Sequence, residues 1–299
     1  MKNFNQLKTI KNLKIKNSEK VENRIFLAPM AEINDIAFRL LCKKAGCCLT
    51  WTGLIHPRAR QELFFKDKPV CQLFCKNSKE IKKFIKKHNK KVSGWDFNLG
   101  CPAINARKYR FGSYMDWDLK NIEKILKEIR KYAGKKKFVC VKIRKSKYSF
   151  KILKIAEKYC DAIAIHPRTK EQGYSGIPDK EFALKLKEKT FLPVIYSGNV
   201  NEDNYKELLK KFDYLMIGRE VIGDPCIFSR IQNKRKNKCK INFMNYLKLA
   251  KKYKLPFRQI KFQSMNFTKK KRNAKKLRLE IFKIKDKAEL KKFGKKEKL

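Results

Sequence analysis

Acidic residues are scarce in this 299-residue chain: 28 Asp and Glu stand against 77 Lys and Arg, a formal net charge of +49. A field of that size draws polyanions. It points to nucleic acid ahead of an acidic membrane surface, because no basic amphipathic helix with an aromatic face is evident. Long apolar runs are missing as well. None approaches the ~20 residues that span a bilayer, and the first 24 residues, rich in Lys and Asn, hold no apolar stretch of the secretory kind. A cytoplasmic location follows as the expectation, with a monomer as the simplest state. Histidine occurs only three times. No paired C-x-x-C spacing accompanies the ten cysteines, and the nearest groupings, Cys71 with Cys75 and Cys42 with Cys47 and Cys48, do not suit zinc. No metal is expected. Most cysteines lie in apolar, strand-like runs, so reduced thiols are expected rather than disulfides.

What the chain does hold is 42% hydrophobic residues, enough for a substantial core. The pattern centres on Gly94-Trp95-Asp96-Phe97-Asn98-Leu99-Gly100-Cys101-Pro102. Trp95, Phe97 and Leu99 alternate with Asp96 and Asn98 at strand period, and Gly100 and Pro102 stop the run. Similar strands are expected at 24–30, 49–53, 70–75, 138–144, 162–168, 193–200 and 214–219, with helices at 36–45, 78–88, 118–132, 150–159, between Pro178 and Glu188, and at 202–211. Eight short strands alternating with helices are the signature of an α/β chain closed into a (β/α)8 TIM barrel. An open doubly wound sheet is the runner-up, since it seldom needs eight such even repeats.

Beyond Gln232 the composition shifts. Residues 233–299 carry 26 Lys and Arg against 4 Asp and Glu, with no glycine before Gly294. Leu277, Ile281 and Ile284 recur at helical spacing. Two domains are expected: a barrel over residues 1–232 and a small basic helical domain over 233–299. The charge, with Phe257, Phe262 and Phe267 embedded in it, suits an RNA-facing module better than a solvated cap.

Polar residues and glycines gather at the strand C-terminal ends: Met30, Gln72, Asn98 with Cys101, Lys142 with Arg144, His166, Gly198 with Asn199, and Gly218 with Arg219. In a barrel these ends meet at one mouth, where catalytic groups sit. Cys101 alone reads as a small buried hydrophobe. In that company it reads as a nucleophile or proton donor. Ser197-Gly198-Asn199 and Gly218-Arg219 offer backbone N–H groups and a charge for a phosphate. Lys142 and His166 suit the holding of negative charge, and Gln72 and Asn98 can read a ring's edge. The plainer alternatives are a lysine snorkelling to the rim and a hydrogen-bonded barrel histidine.

In this order Ala28-Pro29-Met30, Gln72-Leu73-Phe74, Asn98-Leu99-Gly100-Cys101-Pro102, Lys142-Ile143-Arg144, His166-Pro167-Arg168-Thr169 with Gln172-Gly173-Tyr174-Ser175-Gly176, Ser197-Gly198-Asn199 and Ile217-Gly218-Arg219 resemble the tRNA-dihydrouridine synthase family. The likeness covers residues 24 to 230, and the basic C-terminal segment is similar to that family's helical domain. The resemblance implies an FMN-bound barrel that uses NADPH or NADH to reduce uridine in tRNA. In that scheme hydride arrives at C6 of uracil and the cysteine matching Cys101 protonates C5. It also implies Pro29, Met30, Gln72, Lys142, His166, Ser197, Gly198, Asn199, Gly218 and Arg219 around the cofactor, and Asn98, Arg144 and Arg168 around the substrate.

The chain departs from the common pattern in places. Asn105 replaces a lysine after the Cys-Pro, the 107–113 loop has one glycine where many relatives have two, Tyr114-Met115-Asp116 replaces a small-Leu-Leu run, and Pro167 follows His166 in place of glycine. These changes bear on the loop and the uridine chosen rather than on the reaction. Two other classes stay open. One is a barrel oxidoreductase acting on a free pyrimidine, similar to dihydroorotate dehydrogenase, which has no need of so basic a C-terminal segment. The other is a non-catalytic RNA-binding protein, which would bind no flavin.

Overall fold

The computed structural model describes residues 10, 13, 24–60, 62–232, 239–269 and 271–299. Of the polar N-terminal arm, all but Ile10 and Leu13 lies outside the described residues. Eight strands form where the alternation placed them: β1 (Ile25–Leu27), β2 (Trp51–Ile55), β3 (Val70–Leu73), β4 (Gly94–Leu99), β5 (Phe138–Arg144), β6 (Ala162–His166), β7 (Val194–Tyr196) and β8 (Tyr214–Ile217). They run in the order β1-β8-β7-β6-β5-β4-β3-β2, every pair parallel. The seam between β1 and β2 is bridged by Leu27 N–H donating to Leu49 O at 3.0 Å. The Asn34 side chain completes it, its Nδ2 donating to Ala28 O at 2.8 Å and Trp51 O at 2.9 Å. The sheet is a TIM barrel, not an open doubly wound sheet.

Helices α1 (Ile36–Lys44), α2 (Ile81–His88), α3 (Ile104–Tyr109), α4 (Leu119–Ala133), α5 (Ser149–Tyr159), α6 (Lys180–Glu188), α7 (Tyr205–Lys211) and α8 (Ile227–Ile231) surround it. Asp35, Asp118 and Asp179 cap α1, α4 and α6 by accepting from the backbone N–H of the first turn. The short α3 and α8 were not foreseen; neither is long enough to show a periodic apolar stripe. The strand alternation divides two cores. Trp95, Phe97 and Leu99 of β4 face the helices, where burial of a ring such as Phe97 contributes about 1.5–3 kcal/mol. Asp96 and Asn98 face the barrel interior instead. The interior's lower half is apolar, with Phe26 packed on Trp51 and Tyr214 at ring separations of 5.4 and 5.3 Å. Its upper half is polar: Gln72, Asp96, Asn98 and Lys142 are all buried there, adjacent in register across β3, β4 and β5.

Four further helices follow: α9 (Phe243–Lys252), α10 (Phe257–Asn266), α11 (Ala274–Lys283) and α12 (Lys287–Lys296). The expected boundary after Gln232 falls at 233–238, outside the described residues. The buried faces of these helices, with Phe243, Tyr246, Ile260 and Ile281, join the apolar cluster that also holds the barrel's outer core, and Gly223 presses against the Asn266 carbonyl with no room for a Cβ. Phe267, expected to face RNA, is buried instead, packed on the rings of Phe243 and Tyr246. Phe257 and Phe262 are half-buried against the same core. The exposed apolar side chains here are Leu279 and Phe282.

Cys226 and Cys239 form a disulfide, against the expectation of reduced thiols throughout. They are 13 positions apart, and spacing alone does not reveal that the chain returns to bring their Cα atoms within 5.6 Å. The other eight cysteines are free. Among the described residues no helix is long and apolar enough to cross a membrane, and no cluster of three or more His, Cys, Asp or Glu could hold a metal ion.

Candidate active site

The strand C-terminal ends enclose a cavity of about 720 Å³. The structure brings every singled-out residue to its wall: Pro29 and Met30 after β1, Gln72 on β3, Asn98 and Cys101 at the end of β4, Lys142 and Arg144 on β5, His166 and Arg168 at β6, Ser197, Gly198 and Asn199 after β7, and Gly218 and Arg219 after β8.

The Cys101 loop is held from both sides. Asn98 Oδ1 accepts from the N–H of Gly100 at 3.2 Å and of Cys101 at 3.0 Å. Ser113 donates to Cys101 O through its N–H at 3.2 Å and its hydroxyl at 2.9 Å. Gly112, at φ +61°, approaches so closely that a Cβ there would lie 2.8 Å from Cys101 O, so the single glycine of the 107–113 loop is required. Burial pushes the Cys101 thiol above its ordinary pKa of 9.0, outweighing the Ala103 N–H and the charges of Arg144 and Lys142. At neutral pH it is a thiol, able to give a proton rather than attack as a thiolate.

Below it, Asn98 Nδ2 donates to Gln72 Oε1 at 2.9 Å, and Gln72 Nε2 donates to Asp96 Oδ2 at 2.8 Å. Trp51 Nε1 donates to the same oxygen at 3.0 Å. Burial pushes the Asp96 carboxyl up to about 6, against the pull of Gln72 and the Lys142 ammonium. Asp96 was not among the expected site residues; its one sequence signal is a carboxylate on the interior face of β4. Burial and neighbouring Arg144 bring Lys142 down to about 8.

His166 differs from expectation. Arg168 Nη1 lies 3.0 Å from His166 Nε2. A guanidinium only donates, so Nε2 accepts and the ring proton sits on Nδ1. Burial, with Lys142, Arg144, Arg168 and Arg219 nearby, drives its pKa down to about 2. The neutral imidazole contributes a hydrogen-bond donor to the site, not the positive charge expected of it.

The two arginines expected at the substrate act as braces. Arg144 donates through Nε to Gly100 O at 2.7 Å and through Nη1 to Thr169 O and Gly173 O at 3.0 and 2.6 Å. It thereby ties the Cys101 loop to the 169–173 loop. Arg168, 1% exposed, donates to Ser175 O, Gly176 O and Asn199 Oδ1. Both guanidinium groups reach the cavity wall, Arg144 serving backbone carbonyls and Arg168 serving carbonyls together with Asn199 and His166. Tyr174, a residue of the family motif without an assigned role, lies with its ring centre 5.3 Å from the guanidinium carbons of both Arg144 and Arg219.

A cradle for an anion lies after β7 and β8. The backbone N–H groups of Gly198, Asn199 and Gly218 donate to no described residue. Asn199 takes the left-handed conformation at φ +49°, and Arg219 Nη2 donates to its Oδ1 at 2.8 Å. Unpaired N–H groups beside an exposed arginine fit a phosphate. A phosphate-bearing cofactor therefore fits the residues present, with the Lys142 ammonium available farther along the wall.

Solved structures share this barrel at low identity. A variant of NCR from Zymomonas mobilis is 13% identical with a TM-score of 0.52, over 75% of this chain and 90% of that one. Morphinone reductase is 10% identical with a TM-score of 0.51, over 70% and 85%. Fold and cavity together define a (β/α)8 barrel with a cavity at the C-terminal mouth of its strands. Sequence narrows the class. The family model described as Dihydrouridine synthase (Dus) matches residues 26–298. A probable tRNA-dihydrouridine synthase of Helicobacter pylori is 31% identical over 233 residues, 70% of each chain, and one of Rickettsia bellii is 32% identical over 243 residues, 74% of each. The chain belongs to the dihydrouridine synthase family, and with it to the flavin-dependent oxidoreductases.

Proposed function

We propose that this protein reduces the C5–C6 double bond of uridine in tRNA to 5,6-dihydrouridine, with FMN as the bound cofactor and NADPH or NADH as reductant. One observation carries this reading furthest: a protonated thiol and a phosphate cradle open into the same cavity. Gly198, Asn199, Gly218 and Arg219 hold the cofactor phosphate. Pro29, Met30, Gln72, Lys142, His166 and Ser197 would hold its ring, Lys142 offering a cation and His166 Nδ1–H a neutral donor. FMN bound there would supply hydride chemistry, directed at C6 of uracil. Cys101 Sγ gives its proton to C5 of the resulting enolate, and the thiolate left behind regains a proton from solvent. Asn98 orients the uracil edge, while Arg144 and Arg168 keep the mouth in shape around it.

The uracil must leave the tRNA stack, at a cost of a few kcal/mol. Phosphate contacts from the basic surface offset it. Residues 1–232 carry the chemistry and residues 233–299 dock the RNA, in a protein that works as a monomer in the cytoplasm. The test combines a spectrum and an assay. Protein reconstituted with FMN should be yellow, and with NADPH it should form dihydrouridine in unmodified tRNA, read by nucleoside mass spectrometry. A colourless protein would leave only RNA binding. A yellow protein that reduced free pyrimidines and left tRNA untouched would establish the small-substrate alternative.

A further inference from the structure

A chain of hydrogen bonds crosses the cavity floor from Trp51 through Asp96, Gln72 and Asn98 to the backbone of Gly100 and Cys101. Each link has a direction. Two backbone N–H groups can face only an acceptor, so Asn98 turns Oδ1 to them and Nδ2 to Gln72. Gln72 must answer that nitrogen with Oε1, which sends its own Nε2 towards Asp96. There the chain ends on one carboxylate oxygen, which accepts from Gln72 Nε2 and Trp51 Nε1 together. Each amide could turn over by half a rotation, and the backbone donors at one end with the acceptor at the other make one orientation of both consistent.

We infer that Asp96 is a positioning residue: its Oδ2 anchors the far end of the chain that sets which way the amides of Gln72 and Asn98 face, and through them holds the Cys101 thiol at the cavity. The catalytic consequence rests on the proposed role of Cys101 as proton donor; the bond chain itself does not. The other carboxylate oxygen, Oδ1, has no hydrogen-bond partner among the described residues. That asymmetry separates two substitutions. Asp96→Asn keeps an oxygen at the Oδ2 position and places its NH2 where Oδ1 stands, so the chain survives without the charge. Asp96→Leu removes the acceptor at similar volume, leaves Gln72 Nε2 and Trp51 Nε1 without a partner, and so loosens the chain from its far end.

The measurement is the rate at which iodoacetamide alkylates Cys101 in the folded protein, followed by peptide mass spectrometry. Cys42 and Cys47, both buried on and just after α1, serve as internal reporters of any general loosening. Asp96→Leu should raise the Cys101 rate roughly 10-fold while Cys42 and Cys47 stay protected, as expected for a local loop opening, and Asp96→Asn should return it to the wild-type rate. In turnover, Asp96→Leu should lower kcat for dihydrouridine formation by roughly 10- to 100-fold with KM for tRNA little changed, because sub-ångström misplacement of a donor acts on the chemical step. Should Asp96→Leu fail to fold, Gln72→Met cuts the same chain one link nearer the cysteine and is read by the same alkylation rate. An unchanged Cys101 rate in the folded variant, or an Asp96→Asn protein as reactive as Asp96→Leu, would overturn the inference. The alkylation measurement needs no turnover, so a wild-type protein inactive on tRNA would defeat the functional proposal and leave this one judged on its own.

Discussion

Tyr246 on α9 donates its hydroxyl to Asp35 Oδ2 at 3.0 Å, joining positions 211 residues apart. The same half-buried carboxylate caps α1 through Phe38 N–H at 2.9 Å and accepts from Gln259 and Gln263 of α10 at 2.8 and 3.0 Å. One carboxylate thus ends the first barrel helix and anchors the C-terminal helices. Farther round, Lys269 Nζ donates to Arg219 O at 2.7 Å, bringing the same helices to the edge of the cavity mouth.

The two partners should differ in cost when removed. Asp35→Ala strands several buried donors and a helix cap, and should destabilise the protein by about 3–4 kcal/mol. Tyr246→Phe removes one donor and leaves the carboxylate otherwise satisfied, at about 1 kcal/mol. Urea unfolding of both variants checks the ratio; equal losses would mean that the carboxylate is not the hub.

His166 gives the protein an acid-side liability. Its ordinary pKa of 6.5 falls to about 2 in the folded state. Between those values the unfolded chain binds a proton that the folded one does not, so stability falls as pH is lowered through 6.5. The slope approaches about 1.4 kcal/mol per pH unit for this one site. His166→Gln, which cannot take up that proton, should flatten the pH dependence of unfolding between pH 6 and pH 4 by about that slope. An identical acid profile in the two proteins would show that His166 takes up its proton in the folded state near its ordinary pKa.

Strand alternation was readable because β strands bury opposite faces in different cores. All eight strands, and the arrival of Gln72, Asn98, Cys101, Lys142 and His166 at one mouth, follow from that periodicity and from the glycines and prolines that end it. What stayed hidden depended on tertiary crowding. The charge state of His166 is set by side chains from β5 and from the ends of β6 and β8, which no local pattern brings together. The bracing roles of Arg144 and Arg168, which the resemblance places around the substrate, were hidden because the carbonyls they serve belong to loops that fold back over them. Asp96 read only as the polar side of a strand, since its link to Gln72 runs between strands. Phe267 was misplaced for the opposite reason: in so charged a segment an aromatic looks exposed, yet Phe243 and Tyr246 enclose it.

The electrostatic part of RNA binding can be isolated without removing helices that share the barrel's core. Lys275, Lys276 and Lys283 are exposed on α11 and form no ion pair among the described residues. Changing all three to Glu should leave flavin content and thermal stability unchanged and weaken tRNA binding at least ~10-fold. The dependence of log affinity on log salt should flatten by up to about 3 if each lysine meets a phosphate. Filter binding at several salt concentrations tests this, and an unaltered slope would place the RNA contact on another face.

Cys101 carries the sharpest consequence for the chemistry. Cys101→Ala removes one half-buried sulfur and leaves the backbone bonds to Asn98 and Ser113 intact. The fold and the yellow colour should therefore persist. NADPH oxidation should continue, since reduction of the cofactor does not involve the uracil. Dihydrouridine formation should fall by ~10²–10⁴, the usual contribution of a positioned acid. Cys101→Ser, whose hydroxyl is a weaker acid, should fall into the same range rather than restore activity. The free cysteines buried elsewhere, such as Cys71 and Cys140, should show losses of stability alone when replaced. His166 does not offer a second proton source: its neutral ring already gives Nε2 to Arg168, and losing the Nδ1 proton would leave an imidazolate. A Cys101→Ala protein that reduced uridine in unmodified tRNA at near the wild-type rate would therefore remove the thiol from the mechanism, and would move the C5 proton to another acid on the cavity wall, the Lys142 ammonium first.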